Sequence, residues 1–64
     1  MKELGDYLRE YRVNNGVSID EAAEDLNVST NIIENIENGN SRAFRDMLEL
    51  RENVKSYAKY LGLD

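Results

Sequence analysis

The chain has no cysteine, no histidine and no proline. Without cysteine there is no disulfide staple, no thiol nucleophile and no thiolate metal ligand. Without histidine the commonest general base is gone, and a zinc site would need carboxylates alone. The lack of proline leaves nothing to break a helix from within. Apolar residues never run beyond two in succession, so no segment is long enough to span a bilayer, and Met1-Lys2-Glu3 opens no apolar signal core. Cations are missing from the middle of the chain, with neither lysine nor arginine between Arg12 and Arg42. The same stretch carries Asp20, Glu21, Glu24, Asp25, Glu34 and Glu37. An unpaired acidic stretch of this length opposes a polyanionic partner, whether nucleic acid or an anionic membrane surface.

What is present is 64 residues, with 13 acidic against 8 basic side chains and a net charge of −5. That length makes a single domain (1–64), which buries only roughly 60% of its unfolded surface and has no room for a deep cleft. Its core must be held by helix packing, since staples and metals are absent. A cysteine-free chain suits a reducing compartment, so the expected location is the cytoplasm.

The periodicity is helical throughout. Leu4, Tyr7, Leu8 and Tyr11 fall on one side of a first helix at about 2–14, opposite Asp6, Arg9 and Glu10. Asn14-Asn15-Gly16 is a stop and turn signal. Ser18-Ile19-Asp20-Glu21 is a capping box opening a helix at about 19–26, with Ile19, Ala22, Ala23 and Leu26 on its apolar stripe. Val28-Ser29 begins a third helix, about 30–38, after a very short turn; Ile33 and Ile36 are its core positions and Asn38-Gly39 ends it. Two short helices joined this tightly are a helix-turn-helix. Asn40 and Ser41 can cap the C-terminal segment, one helix or two over about 42–61, with Phe44, Met47, Leu48, Val54, Tyr57, Ala58 and Leu61 as the stripe and any bend near Leu50–Glu52. The fold class is therefore all-α, a small four-to-five-helix bundle containing a helix-turn-helix.

Reading DNA requires side chains at the start of the third helix on base edges, flanked by cations on phosphates. Ser29, Thr30, Asn31 and Asn35 could make the base contacts. Nothing around them would hold the backbone, because non-specific affinity comes from phosphate neutralisation. The acids at 20, 21, 24 and 25 lack the turn glycine and spacing of a calcium loop. No nucleophile–base pair or phosphate-cradling loop occurs, so neither enzymatic activity, cofactor, metal nor small-molecule substrate is expected.

Leu4-Gly5 through Leu8 and Arg12, then Gly16-Val17-Ser18-Ile19, Ala22-Ala23, Leu26-Asn27-Val28-Ser29, Ile33, and Ile36-Glu37-Asn38-Gly39 resemble the Xre/Cro-cI family of helix-turn-helix domains over the whole chain. Ala58 lies nineteen positions beyond Gly39, a longer spacer than DNA-reading members use. With the closing Ser56-Tyr57-Ala58-Lys59-Tyr60-Leu61-Gly62-Leu63-Asp64, that spacer resembles the cytoplasmic domain of the RodZ family of bacterial cell-shape proteins. The resemblance implies a protein partner, the actin-like MreB filament, and a basic linker with one transmembrane helix after the domain; a chain ending at Asp64 would then be a domain taken from a longer protein. It differs from the family pattern at Phe44-Arg45, where a Leu-Pro turn is usual, and at Glu49, Glu52 and Asn53, where aromatics and a Gly-Phe are usual.

By the same resemblance Arg12 and Glu37 pair across helices 1 and 3, as a structural ion pair, worth roughly 0–1 kcal/mol at the surface, or as a partner contact. Ile32 sits at the edge of the core face, as a boundary residue or an apolar anchor for a partner. Tyr7, Tyr11 and Tyr57 read as core aromatics with wet hydroxyls, Tyr60 as exposed. Residues 42–64 carry +1 against −6 for residues 1–41, so Arg45, Glu49, Arg51, Glu52, Lys55 and Lys59 are the expected protein-partner surface, together with Ile32. The alternative is a DNA-binding regulator of the Xre class using Ser29, Thr30, Asn31 and Asn35.

Overall fold

A computed structural model describes residues 1–63; Asp64, the last residue of the closing string, lies outside them. Helix α1 covers Lys2–Asn14, α2 Ile19–Leu26, α3 Thr30–Glu37 and α4 Met47–Tyr60, with a 3₁₀ turn at Ser41–Ala43 ahead of α4. The all-α bundle expected from the periodicity is what forms, and no strand occurs among the described residues.

Helix α3 is its centre. Ile33 and Ile36 are wholly buried, surrounded by Leu8, Ala22, Ala23, Phe44, Leu50, Tyr57 and Leu61. α1, α2 and α4 all pack on α3. The tight α2–α3 turn comes from local chemistry. The Ser18 hydroxyl accepts from the Glu21 N–H (3.0 Å) and the Ser29 hydroxyl from the Ile32 N–H (3.4 Å), starting each helix. Between them Asn27 takes a left-handed conformation (φ 57°), which a short polar side chain tolerates better than most.

Two sequence expectations need correction. The face that α1 buries is Gly5, Leu8 and Arg12, at i, i+3 and i+7, rather than the all-apolar set Leu4, Tyr7, Leu8 and Tyr11. Tyr11 is half-buried, whereas Leu4 and Tyr7 are exposed. The cause is Gly5. Its Cα faces the Ile36 and Glu37 carbonyl oxygens so closely that an added Cβ would sit 2.5 Å from both. α1 therefore lies down on α3 along its glycine, which turns Leu4 and Tyr7 outward.

The second correction concerns residues 42–61. They form neither one helix nor two bent near Leu50–Glu52, because the chain is extended at Phe44 and at Asp46 before α4 begins. Asp46, not Asn40 or Ser41, caps that helix: its carboxylate accepts from the Glu49 N–H (2.9 Å), while the Glu49 carboxylate accepts from the Arg45 N–H (2.8 Å). Starting at 47 sets the phase so that Leu50, Tyr57 and Leu61 face the core. Met47 and Leu48, expected on the stripe, are 74% and 65% exposed.

Candidate protein-docking surface and the helix-turn-helix face

The polar centre of the molecule is a buried cluster of Arg12, Glu37 and Tyr57. Arg12 Nε and Nη2 donate to the two Glu37 carboxylate oxygens (2.7 and 3.0 Å), and Nη1 donates to the Val17 carbonyl (2.9 Å). Tyr57 donates its hydroxyl to the same carboxylate. The structural pair expected between Arg12 and Glu37 forms, but with Arg12 7% and Glu37 3% exposed it is a buried bidentate pair rather than a surface one, and the Tyr57 hydroxyl is not wet. Arg12 is buried because it stands two turns below Gly5 on the face pressed to α3. The hydrogen bond to Glu37 raises the Arg12 guanidinium above its already high ordinary value. Burial first, and then the Glu37 bond, raise the Tyr57 phenol. Among the described residues no buried side-chain polar atom lacks a partner. The cluster joins α1, α3 and α4 into one body.

On the helix-turn-helix face, Asp20, Glu21, Glu24 and Asp25 of α2 and Asn31 and Glu34 of α3 are exposed. The four expected base-contact residues fare unequally. Ser29 spends its hydroxyl on capping α3, and Asn35 is half-buried and accepts from the Asn40 amide (3.3 Å). Thr30 is half-buried, and Asn31 alone of the four is exposed without a side-chain bond among the described residues. Each carboxylate held about 10 Å from a phosphate adds roughly 0.4 kcal/mol of repulsion in water, and here no cation of residues 13–41 offsets it. Tyr60 ties this face to α4: half-buried rather than exposed as expected, it donates to Asp25 (2.7 Å). That bond raises the Tyr60 phenol to about 12.

The expected partner residues mostly lie on α4. Arg51, Glu52, Lys55 and Lys59 are exposed, as is Arg45 just ahead of the helix. Glu49 is half-buried, with its carboxylate taken up by the Arg45 backbone and within 4.0 Å of the Arg45 guanidinium. Ile32 is half-buried on the wall of a small cleft of about 130 Å³ with Val28, Asn53 and Ser56, a position apart from the α4 cations.

A feature the sequence reading missed lies between the start of α1 and the first half of α4. Met1, Leu4, Met47, Leu50 and Val54 line an open apolar groove of about 520 Å³, with Arg51 and Lys55 along it. The missed signal was Asp46-Met47-Leu48-Glu49, a helix start in the pattern of Ser18-Ile19-Asp20-Glu21. Once α4 is begun at Met47, Leu50 turns to the core and Met47 and Leu48 are left outside it.

Residues 7–64 match a family model described as a helix-turn-helix domain. The chain belongs to that family. No curated protein and no solved structure matches it. Members of the helix-turn-helix family bind nucleic acid or protein, so this domain is a binding module of that kind. No helix among its described residues is long and apolar enough to cross a membrane.

Proposed function

We propose that this helix-turn-helix domain is a protein-docking adaptor of the RodZ type, whose partner is an actin-like filament of the MreB class, and that it works in bacterial cell-shape control from the cytoplasm. The observation that carries the reading is the division of the surface. Helices α2 and α3, which would meet a duplex, are acidic and carry no cation of their own, with Arg9 of α1 beside Glu34 at their edge, whereas α4 presents Arg51, Lys55, Lys59 and the exposed apolar Met47 and Leu48. The long spacer between Gly39 and Ala58 supports it, since that spacer holds the 3₁₀ turn and the extended link that set α4 apart from the helix-turn-helix. Where the RodZ pattern has aromatics, Glu49 and Asn53 are bonded to the local backbone, and the apolar exposure of α4 has moved to its first turn.

The test is amide-resolved NMR on the labelled domain, titrated with mixed-sequence duplex at low salt and, separately, with purified MreB polymer. The expected result is broadening along α4 with the polymer and unchanged spectra with the duplex. Shifts at Ser29 to Asn35 with the duplex would overturn the reading in favour of an Xre-class regulator. Unchanged polymer binding after Arg51, Lys55 and Lys59 are all replaced by Glu would remove α4 as the contact.

A further inference from the structure

The apolar groove between α1 and α4 has a composition that specifies an occupant. Leu50 and Val54 are its more buried residues, and Leu4, Met1 and Met47 project more openly around them. Met1, Leu4 and Met47 are exposed side by side along this groove, and apolar surface gathered in one place is what an interaction site presents. The methionines suit a docking surface, because an unbranched thioether adapts to different shapes. The charges along the groove are Arg51 and Lys55, both exposed and, among the described residues, in no ion pair, as is also true of Arg9, Arg42 and Lys59.

We infer that the groove between the start of α1 and the first half of α4 binds an acidic amphipathic helix of a partner protein, with apolar side chains on Leu4, Met47, Leu50 and Val54 and carboxylates on Arg51 and Lys55. A helix laid in a groove recognises by apolar anchors at i, i+3, i+4 and i+7, and charges along the rim set its flanks. A second copy of the chain does not meet this description. A symmetric pair would bring Arg51 and Lys55 of one copy toward those of the other, and the acidic helix α2 has its apolar Ala22 and Ala23 buried in the core. An anionic membrane surface would face the whole domain, with its net charge of −5, whereas a single helix in the groove meets Arg51 and Lys55. This inference deepens the protein-docking reading by naming the chemistry of the partner segment, and it does not depend on that partner being a filament.

The experiment uses two synthetic helical peptides that share one leucine stripe, one flanked by glutamate and the other by lysine. They are titrated against the domain carrying labelled methionine methyl groups, with sedimentation and anionic vesicles as parallel measurements. The glutamate peptide is expected to shift the Met1 and Met47 methyls and to bind roughly tenfold more tightly than the lysine peptide. The double variant Arg51→Glu, Lys55→Glu should reverse that preference. Both residues are exposed, and circular dichroism would verify that the variant is folded. Equal binding of the two peptides, shifts away from the groove, a self-associated dimer that masks Met47, or Met47 shifts with vesicles alone would each overturn the inference. The MreB titration run beside it separates the two readings. Filament binding lost with the peptide preference intact removes the filament reading alone, and the reverse removes the groove alone.

Discussion

At the scale of single residues, Glu37 carries more of this fold than any other side chain. It accepts from two guanidinium nitrogens and a phenol while almost fully buried. Removing one partner of a buried ion pair costs about 3–5 kcal/mol, because the other charge is left in a poor solvent. A small domain has only about 5–15 kcal/mol in total, and one of this length belongs at the low end. Glu37→Gln is therefore expected to bring the domain to the edge of unfolding at room temperature. Tyr57→Phe removes a donor but leaves the pair intact, so its cost should be about 1–2 kcal/mol. Urea melts of both variants, tracked by circular dichroism, test the ranking. Equal costs would mean that the Tyr57 hydroxyl bond to Glu37 is worth as much as the ion pair with Arg12.

The tyrosines also give the fold a dependence on pH. Tyr57 and Tyr60 both hold their protons more tightly folded than unfolded, Tyr60 to about 12 against an ordinary value of 10.0. A raised folded value means that the stabilisation is fully present below the unfolded value and is lost as pH rises through the folded one. Stability should thus hold up to about pH 10 and fall between there and about 12 as far as Tyr60 is concerned. In Tyr60→Phe the fall across that window should be shallower, read as the urea midpoint at successive pH values. An unchanged slope would show that the bond to Asp25 is not kept in solution.

At the scale of helices, the contact of α1 with α3 depends on a missing side chain. Gly5→Ala would put a methyl group 2.5 Å from two backbone carbonyl oxygens, which cannot swing aside as a flexible side chain could. Alanine raises helix propensity by about 1 kcal/mol, but overpacking typically costs about 1–3 kcal/mol and here strikes backbone. Net destabilisation of up to about 2 kcal/mol is expected, with coupling to Arg12 because both lie on the face that must lift away. A thermal melt of Gly5→Ala checks it, and an unchanged or raised midpoint would show that α1 can shift without loss.

The same helix shows where sequence reading stops. The ends of α1, α2 and α3 are written in local chemistry, in Asn15-Gly16, Ser18, Asn27, Ser29 and Gly39, and can be read from neighbours in the chain. Which face of α1 is buried cannot, because a glycine and an arginine occupy that face and neither is apolar. Burial of Arg12 depends on Glu37 and Tyr57, twenty-five and forty-five positions away. The start of α4 was legible in principle from Asp46 and Glu49, but the apolar Phe44, Met47 and Leu48 mimic a continuous stripe across the break. The α4 cations could be found by counting charges. The groove beside them could not, since it needs Leu4 and Met47 brought together from opposite ends of the chain.

At the scale of the whole molecule, charge decides which surface can be used. Residues 1–41 carry −6, and helices α2 and α3, which the fold makes available for DNA, contribute no cation to neutralise phosphates. If this absence, and not the helix geometry, keeps the domain off DNA, supplying cations should create binding. Glu24, Asn31 and Glu34 are exposed, lie on α2 and α3 and cap nothing among the described residues. Replacing all three by Lys takes the net charge from −5 to 0. Three new phosphate contacts would give a salt dependence of up to about 2.7 in log K against log salt, near 0.9 for each. Fluorescence anisotropy with a labelled duplex across a salt series should show that slope in the variant and no measurable binding in the natural chain. A natural chain that bound with such a slope would mean that its cations beyond residues 13–41 reach the duplex and that the acidic face is no barrier. A variant that stayed silent would place the barrier in shape, since Ser29 and Asn35 are already committed to holding α3 and its turn.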